Sequence, residues 1–502
     1  MTKFQVFGEV GCNWKCDENE ILIIAGLNRH FHDFDFSKSK EFQSVIGNTV
    51  DSEKWNHAIS RLSKTGKISL HYDEIILISV TEDVSRCNSP SNSVALFKQL
   101  KQIRPSKHSQ ALRIILLTDF SHSLANVAAV ARSSSDYSRK TGSDHLSWTQ
   151  ISLHLHVINP ADKTLNQKDV EFLNHLAASI RRTVSLIETP ANELTTDGLV
   201  NEAKDVANKL GCKITLTRGK ELLDAGFGGI YHVGKAGPTP PAFVVISHQP
   251  KGATKNIVLV GKGVVYDTGG FSLKPANAMP AMKIDMSGAA GLLHSFSALV
   301  ASGFKENLHV CMCIVENNVS PDAIKPDDVI TLLSGKTVEV NNTDCEGRLI
   351  LADGVYYAKN NLKADTIIDM ATLTNGMLYI GGKHHAAIMS NLEDVENEVL
   401  RAGRHSGDLT TAMLFCPEFH MDDLKSEIAD MKNSGMFVNK SPNSCVAACF
   451  IGEQIGFGKD LTWIHIDMLH PATFEERATG FGPSLISSLL GKHTDIELLH
   501  QH

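Results

Sequence analysis

The sequence predicts an α/β protein of two domains, on three observations: apolar runs of strand length alternate with helical stretches, the chain is too long for one core, and its composition is that of a folded protein. The chain has 502 residues, whereas a domain usually takes roughly 100–200. Hydrophobic residues at 42% and charged residues at 21% separate it from disordered and collagen-like chains. A net charge of −8 gives no electrostatic reason to bind nucleic acid, which wants a concentrated basic face, so nucleic acid is not an expected partner.

The N-terminal part carries the first strand candidates, ILIIAGL (21–27), EIILISV (74–80), RIILLTDF (113–120) and ISLHLHVI (151–158), interleaved with helical stretches around 51–64 and 91–104. Such a rhythm is that of a smaller N-terminal α/β domain over residues 1–165. Polar stretches near 85 (SRCNSPSN) and 133 (SSSDYSRKTGSDH) read as surface loops. His154 and His156 share one strand face, and core or surface packing explains them without a metal. A helical pattern from about Asn166 to Ile187 runs into Pro190, which breaks it, and is expected to connect the domains over residues 166–190.

The remainder, 191–502, supplies AFVVISH (242–248), NIVLVGKGVV (256–265), LHVCMCIVE (308–316), ADTIIDMAT (364–372), HAAIMS (385–390) and WIHIDML (463–469). These runs are apolar on both faces, as a sheet covered by helices on each side requires. Ten cysteines are scattered without a CxxC spacing, which suits free thiols in a reducing compartment. Cys311 and Cys313 are expected to be core thiols. The N-terminus lacks the pattern of a secretory signal, and no uncharged apolar run approaches about 18 residues, so a cytoplasmic protein that does not enter the membrane is expected.

Two segments do not read as ordinary core: GKGVVYDTGGFSLK (261–274), followed closely by MKIDMSGAAG (282–291), and NNTDCEGRLILADG (341–354). Both put charged residues where apolar strands end, the place where open α/β sheets bind ligands. If Asp267, Asp285, Asp344 and Glu346 converge, four carboxylates repel one another in a partly desolvated cleft. Two divalent cations would neutralise them, and the oxygen-rich set suits Zn, Mn or Mg. Other chemistries lack their motifs. SGKT at 334–337 has Ile330 where a phosphate-binding loop needs glycine, so it reads as a hairpin turn, and neither H-E-x-x-H nor G-x-S-x-G occurs.

NTDCEGRL (342–349) resembles the signature NTDAEGRL of the leucine aminopeptidase (cytosol aminopeptidase) family, with Cys345 at the usual alanine. VGKGVVYDTGGFSLK (260–274) is similar to that family's VGKGxxFDSGGxxxK segment, and DMATLT (369–374) also matches. The resemblance runs from ETPANEL (188–194) to near Gly482, and GKHHAA (382–387) points to the branch of probable aminopeptidase-like proteins. It implies a larger C-terminal catalytic domain with a mixed sheet flanked by helices. It also implies a metalloexopeptidase that removes N-terminal residues through a hydroxide bridging two metals. One ion would be held by Asp267, Asp344 and Glu346, the other by Lys262, Asp267, Asp285 and Glu346. Zinc is the first expectation, with Mn, Mg or Co at one position. Lys274 would polarise the scissile carbonyl, and Arg348, with backbone N–H groups at Gly347 and Leu373, would hold a bicarbonate general base. Met282, Asn342, Cys345, Thr372, Leu469 and Ala472 would line the substrate pocket. Asn375, Leu469 and His470 depart from the family's smaller residues, which implies an altered pocket. The family further implies peptide substrates with a free N-terminus and a homohexamer built from two trimers. A catalytically silent binding or scaffold protein is the alternative reading.

Overall fold

A computed structural model describes residues 2–8, 20–34, 50–70, 74–142, 146–158, 163–436, 438 and 440–500. The chain folds into two compact units, one running to Arg181 with Gly403–Gly407 and the segment from Asp495, the other comprising Arg182–Ala402 and Asp408–Thr494. It passes from the first to the second within helix Gln167–Glu188.

The first unit holds a six-stranded sheet in the order Lys3–Phe7, Gln150–Val157, Ala111–Thr118, Glu20–Leu27, Ile75–Val80, Gly66–Leu70. Its neighbours are parallel except the last pair. Four strands stand where the apolar runs predict them. The two edge strands have no such signal, because GKISL alternates between half-buried and exposed positions and KFQVF buries Val6 alone, so neither is a continuous apolar run. The helix Ser52–Arg61 is capped by Asp51, which accepts from Lys54 N at 2.9 Å. His154 is buried and stacks on Phe7 at 4.7 Å. SRCNSPSN is not a surface loop throughout: Ser89, Ser91 and Asn92 are buried, and Asn92, in the left-handed region at φ 49°, leads into helix Ser93–Leu100. Cys12, Cys16 and part of the segment near 133 lie outside the described residues; the cysteines within them are free thiols.

The second unit is built on an eight-stranded mixed sheet, in the order Thr410–Ala412, Ala386–Ser390, Thr462–Asp467, Thr366–Ala371, Asn256–Asp267, Asn307–Asn317, Ala242–His248, Lys213–Arg218. Strands Thr462–Asp467, Thr366–Ala371, Asn256–Asp267 and Asn307–Asn317 are mutually parallel, so all four end on one edge. Side chains alternate between two cores. Ile257, Leu259, Val310 and Met312 face one with helices Thr196–Leu210 and Ser287–Ala301, whereas Val258, Val260, Cys311 and Cys313 face the other with helices Glu346–Asn360 and Asn443–Glu453. Burial on both faces is what makes these runs continuously apolar. The two thiols are core groups, and burial pushes both above the ordinary cysteine value. The stretch Met282–Ala301 has the length and hydropathy of a membrane span, but most of it is buried inside this core. Residues 334–337 form the expected hairpin turn, between Val329–Thr331 and Thr337–Glu339.

Candidate metal centre

The four parallel strand ends position the site. Strand Thr366–Ala371 stays paired with Asn256–Asp267 only as far as Met370 opposite Gly261, whereas Asn307–Asn317 follows it to Asp267. From Lys262 onward the strand is therefore open on one side, and the Lys262 ammonium turns to the Thr372 carbonyl at 2.8 Å. After Asp267 the chain reverses through Gly269 and Gly270, at φ 84° and 64°, a pair of left-handed residues that glycine alone adopts without strain. The reversal brings Lys274 back over Asp267. Thr343 fastens this turn to the second acidic loop: its hydroxyl donates to Gly269 O at 2.6 Å and accepts from Ser272 N at 2.7 Å. Gly347 has no room for a side chain, since a Cβ there would sit 2.8 Å from Lys262 Nζ.

These loops bring the predicted charged residues together. Ligand oxygens of Asp267, Asp344 and Glu346 lie within 4.8 Å of one another. Lys262 Nζ is 2.9 Å from Asp285 Oδ2 and 2.8 Å from Glu346 Oε1, and Lys274 Nζ is 2.8 Å from Asp267 Oδ2 and also pairs with Asp344. Lys262, Asp267, Asp285 and Glu346 are each 2% exposed. Burial works against the Lys262 ammonium, but Asp285, Glu346 and Asp267 outweigh it and hold the amine protonated. The same contest at Lys274, against Asp267, Glu346 and Asp344, ends the same way. Burial pushes Asp285 well above the carboxylate range, Lys262 opposing and Glu346 and Asp267 reinforcing the rise. Asp344 is raised to about 7 by burial and by Glu346 and Asp267, with Lys274 only partly offsetting them.

Two lysines do not balance four carboxylates. Asp285 Oδ2 and Asp344 Oδ1 are enclosed without an aligned hydrogen bond, although each is close to a lysine. Buried carboxylate oxygens left short of donors fit divalent cations. Arg348 is held by Asn433 O at 2.9 Å and Asn443 Oδ1 at 3.4 Å, while its buried Nε has no partner, which fits a small anion. Leu373 N–H, expected to hold the same anion, is instead directed to Asp467 Oδ1 at 3.1 Å.

The expected pocket residues are placed less uniformly. Thr372 is buried and gives its hydroxyl to Asp285 Oδ1 at 2.8 Å. Asn342 is half-buried and accepts from Asp344 N at 2.9 Å. Met282, Cys345 and Leu469 are half-buried, whereas Ala472 is wholly enclosed in the core. Asn375 is exposed, and the half-buried His470 encloses its Nε2 without a partner.

Several residues that support the site have no signal of their own in the sequence. Asn317 donates to Asp267 Oδ1 at 2.7 Å and to Thr343 O at 3.1 Å. Asn433, fully buried, donates to Asn342 O at 2.7 Å, accepts from Asn341 N at 3.0 Å and offers its carbonyl to Arg348. Asp467 does have a signal, because it ends an apolar strand with a carboxylate as Asp267 does.

A carboxylate and lysine cluster buried at the C-terminal edge of a mixed sheet and short of positive charge has the chemistry that a metal-dependent hydrolase needs. The profile described as "Cytosol aminopeptidase family, catalytic domain" matches residues 181–487, and "M17 aminopeptidase N-terminal domain 2" matches 20–143. Leucine aminopeptidase 1 of Caenorhabditis elegans is 53% identical, covering 96% of each chain, and a "probable aminopeptidase" of Homo sapiens is 39% identical over 95% of this chain and 91% of its own. The solved leucine aminopeptidase of C. elegans superposes with a TM-score of 0.95 at 49% identity, covering 99% of this chain and 100% of that one. Leucyl aminopeptidase of Trypanosoma brucei in complex with bestatin superposes with a TM-score of 0.85 at 30% identity, covering 98% and 96%. The chain belongs to the cytosol aminopeptidase family and is a metal-dependent aminopeptidase. The likeness extends through the N-terminal unit, where the sequence offers no familiar motif.

Proposed function

We propose that this chain removes N-terminal residues from peptides by hydrolysis at a dinuclear centre, zinc first and manganese next among the candidate metals. The observation that carries this reading is the convergence of Lys262, Asp267, Asp285, Asp344 and Glu346 on one buried point with Lys274 beside it. Asp267, Asp344 and Glu346 would hold one ion, and Asp267, Asp285, Glu346 and Lys262 the other, Lys262 only as the neutral amine, since an ammonium has no lone pair and the ion would have to displace its proton. Ions bound there supply Lewis-acid charge and an acidified water as nucleophile. The residues do the rest. Lys274, beside Asp267 and Asp344, donates to the scissile carbonyl oxygen and stabilises the charge that develops on it. Arg348, with one buried donor open, would hold a bicarbonate, which would supply a general base for the water nucleophile. A free α-amine on the substrate completes the recognition, which makes the enzyme an exopeptidase. Leu469 and His470 alter the pocket for the N-terminal side chain.

Residues 191–502 carry this chemistry, with 1–165 serving assembly and 166–190 connecting them, in a cytoplasmic homohexamer. Large apolar side chains left exposed on the catalytic unit, Tyr379, Leu414, Phe419 and Ile428, support burial in an assembly, which sedimentation of the purified protein tests. The silent-scaffold alternative is not favoured, because every charged residue of the centre is in place. The deciding experiment is hydrolysis of leucine p-nitroanilide by metal-stripped protein, then after adding Zn or Mn, with Lys274→Ala as control. Metal-restored turnover that disappears in the variant is expected; two bound metals without turnover on any N-terminal residue would reject the proposal.

A further inference from the structure

Asp467 is wholly buried, yet among the described residues it makes no hydrogen bond or ion pair with the charged residues of the centre. It ends strand Thr462–Asp467 directly opposite Ala371, the last residue of its parallel neighbour. Beyond Ala371 the chain leaves the sheet and its N–H groups lose their ladder partners, which a buried turn must replace. The Asp467 carboxylate replaces them. Oδ1 accepts from Leu373 N at 3.1 Å, and Oδ2 accepts from Thr374 N at 3.1 Å and from the Thr374 hydroxyl at 2.6 Å. The same hydroxyl lies 2.6 Å from Ser444 Oγ on helix Asn443–Glu453. The turn held in this way presents Thr372, whose carbonyl accepts from Lys262 and whose hydroxyl donates to Asp285. On its own chain Asp467 leads into the pocket segment, with Met468 N–H bonded to Ala371 O at 2.8 Å and Leu469 N–H directed to Asp467 Oδ1 at 3.4 Å.

We propose that Asp467 is a positioning residue that fixes the turn at 372–374, and through it Lys262 and Asp285, in the geometry that binds the second metal ion. This rests on the dinuclear reading of the centre. A buried carboxylate is costly without several donors, and the donors it has here belong to that turn and to the start of the pocket segment. Groups that orient metal ligands from behind typically affect metal affinity or activity by about 10- to 100-fold.

The test uses the full-length protein and three variants. Asp467→Asn keeps the shape but turns one acceptor into an NH₂ that opposes a donor of Thr374. Thr374→Val deletes one bond of the set and leaves the carboxylate. Ser390→Ala removes a hydroxyl that donates to Trp463 O at 2.9 Å, loosening the same strand away from the turn. Manganese titration of each stripped protein, thermal melting, and kcat and KM on leucine p-nitroanilide are measured. Asp467→Asn is expected to weaken uptake of one Mn equivalent about tenfold or more and lower kcat in parallel, with KM changed less. Thr374→Val should move the same way by less, and Ser390→Ala should alter melting alone. Should Asp467→Asn fail to fold, the Thr374→Val result decides. Wild-type metal affinity and kcat in folded Asp467→Asn, or equal losses in Ser390→Ala, would overturn the proposal. An inactive wild type that binds no second ion would instead overturn the dinuclear reading itself.

Discussion

Arg348 and Lys274 both carry positive charge in the centre, but the structure uses them differently. Arg348 spends two nitrogens on Asn433 O and Asn443 Oδ1 and keeps Nε unpartnered. Lysine has one nitrogen at the tip of a flexible stem and does not satisfy those two acceptors in plane while leaving a donor open. Arg348→Lys is therefore expected to lose most of its turnover, about 100-fold, on the scale of losing one preorganised donor. Added bicarbonate should stimulate bicarbonate-depleted wild type and leave the variant unmoved; equal stimulation of both would remove Arg348 from that role. Lys274→Ala should lower kcat by about 100- to 1000-fold with little change in KM, since its bond strengthens as charge develops on the carbonyl oxygen. The charged residues of the centre were legible in the sequence because carboxylates, lysines and glycines crowd two short windows. Asn317 and Asn433 were not, because a single asparagine acquires its role only from the backbone groups that folding brings to it from about 26 to 92 residues away.

At the scale of elements, the paired strands Thr366–Ala371 and Thr462–Asp467 contain a second buried ionisable group, set directly across from its partner. His465 Nδ1 lies 2.5 Å from Asp369 Oδ1, and Trp463 Nε1 donates to Asp369 Oδ2 at 2.8 Å. Burial alone would lower the imidazole, but Asp369 more than compensates, and His465 titrates above its ordinary value. The native state thus keeps a proton that the unfolded chain, titrating near 6.5, has released. This stabilisation is complete below about pH 6.5 and is lost as pH rises through the raised folded value. Urea unfolding of wild type and His465→Gln should show the wild-type advantage shrinking as the pH is raised above about 6.5; a constant difference would mean a neutral histidine. The strands themselves were readable wherever both faces are buried. Lys213–Arg218 and Thr410–Ala412, at the two sheet edges, escaped because KITLTR is half exposed and TTA is too short to show a period.

For the whole molecule, the charge imbalance in the centre makes metal binding a contribution to folding as well as to catalysis. Without ions, Asp267, Asp285, Asp344 and Glu346 face two lysines in a buried space, and burial with mutual repulsion has already driven Asp285 and Asp344 upward. An ion that binds only the native state stabilises it by about 2.7 kcal/mol at a free concentration 100 times its Kd. The gain belongs to the unit with the eight-stranded sheet, because every candidate ligand is on it. Hydrogen exchange before and after chelation should therefore lose protection around 262–274, 342–348 and 372–374, and leave the six-stranded sheet unchanged. Restoring Zn or Mn should return it. The sign follows from the charges: cations relieve carboxylate repulsion, so stripping the metal must loosen these loops. The opposite result, loops better protected after stripping, would mean that Lys262 and Lys274 alone satisfy the four carboxylates, and would remove the electrostatic reason for placing two ions there.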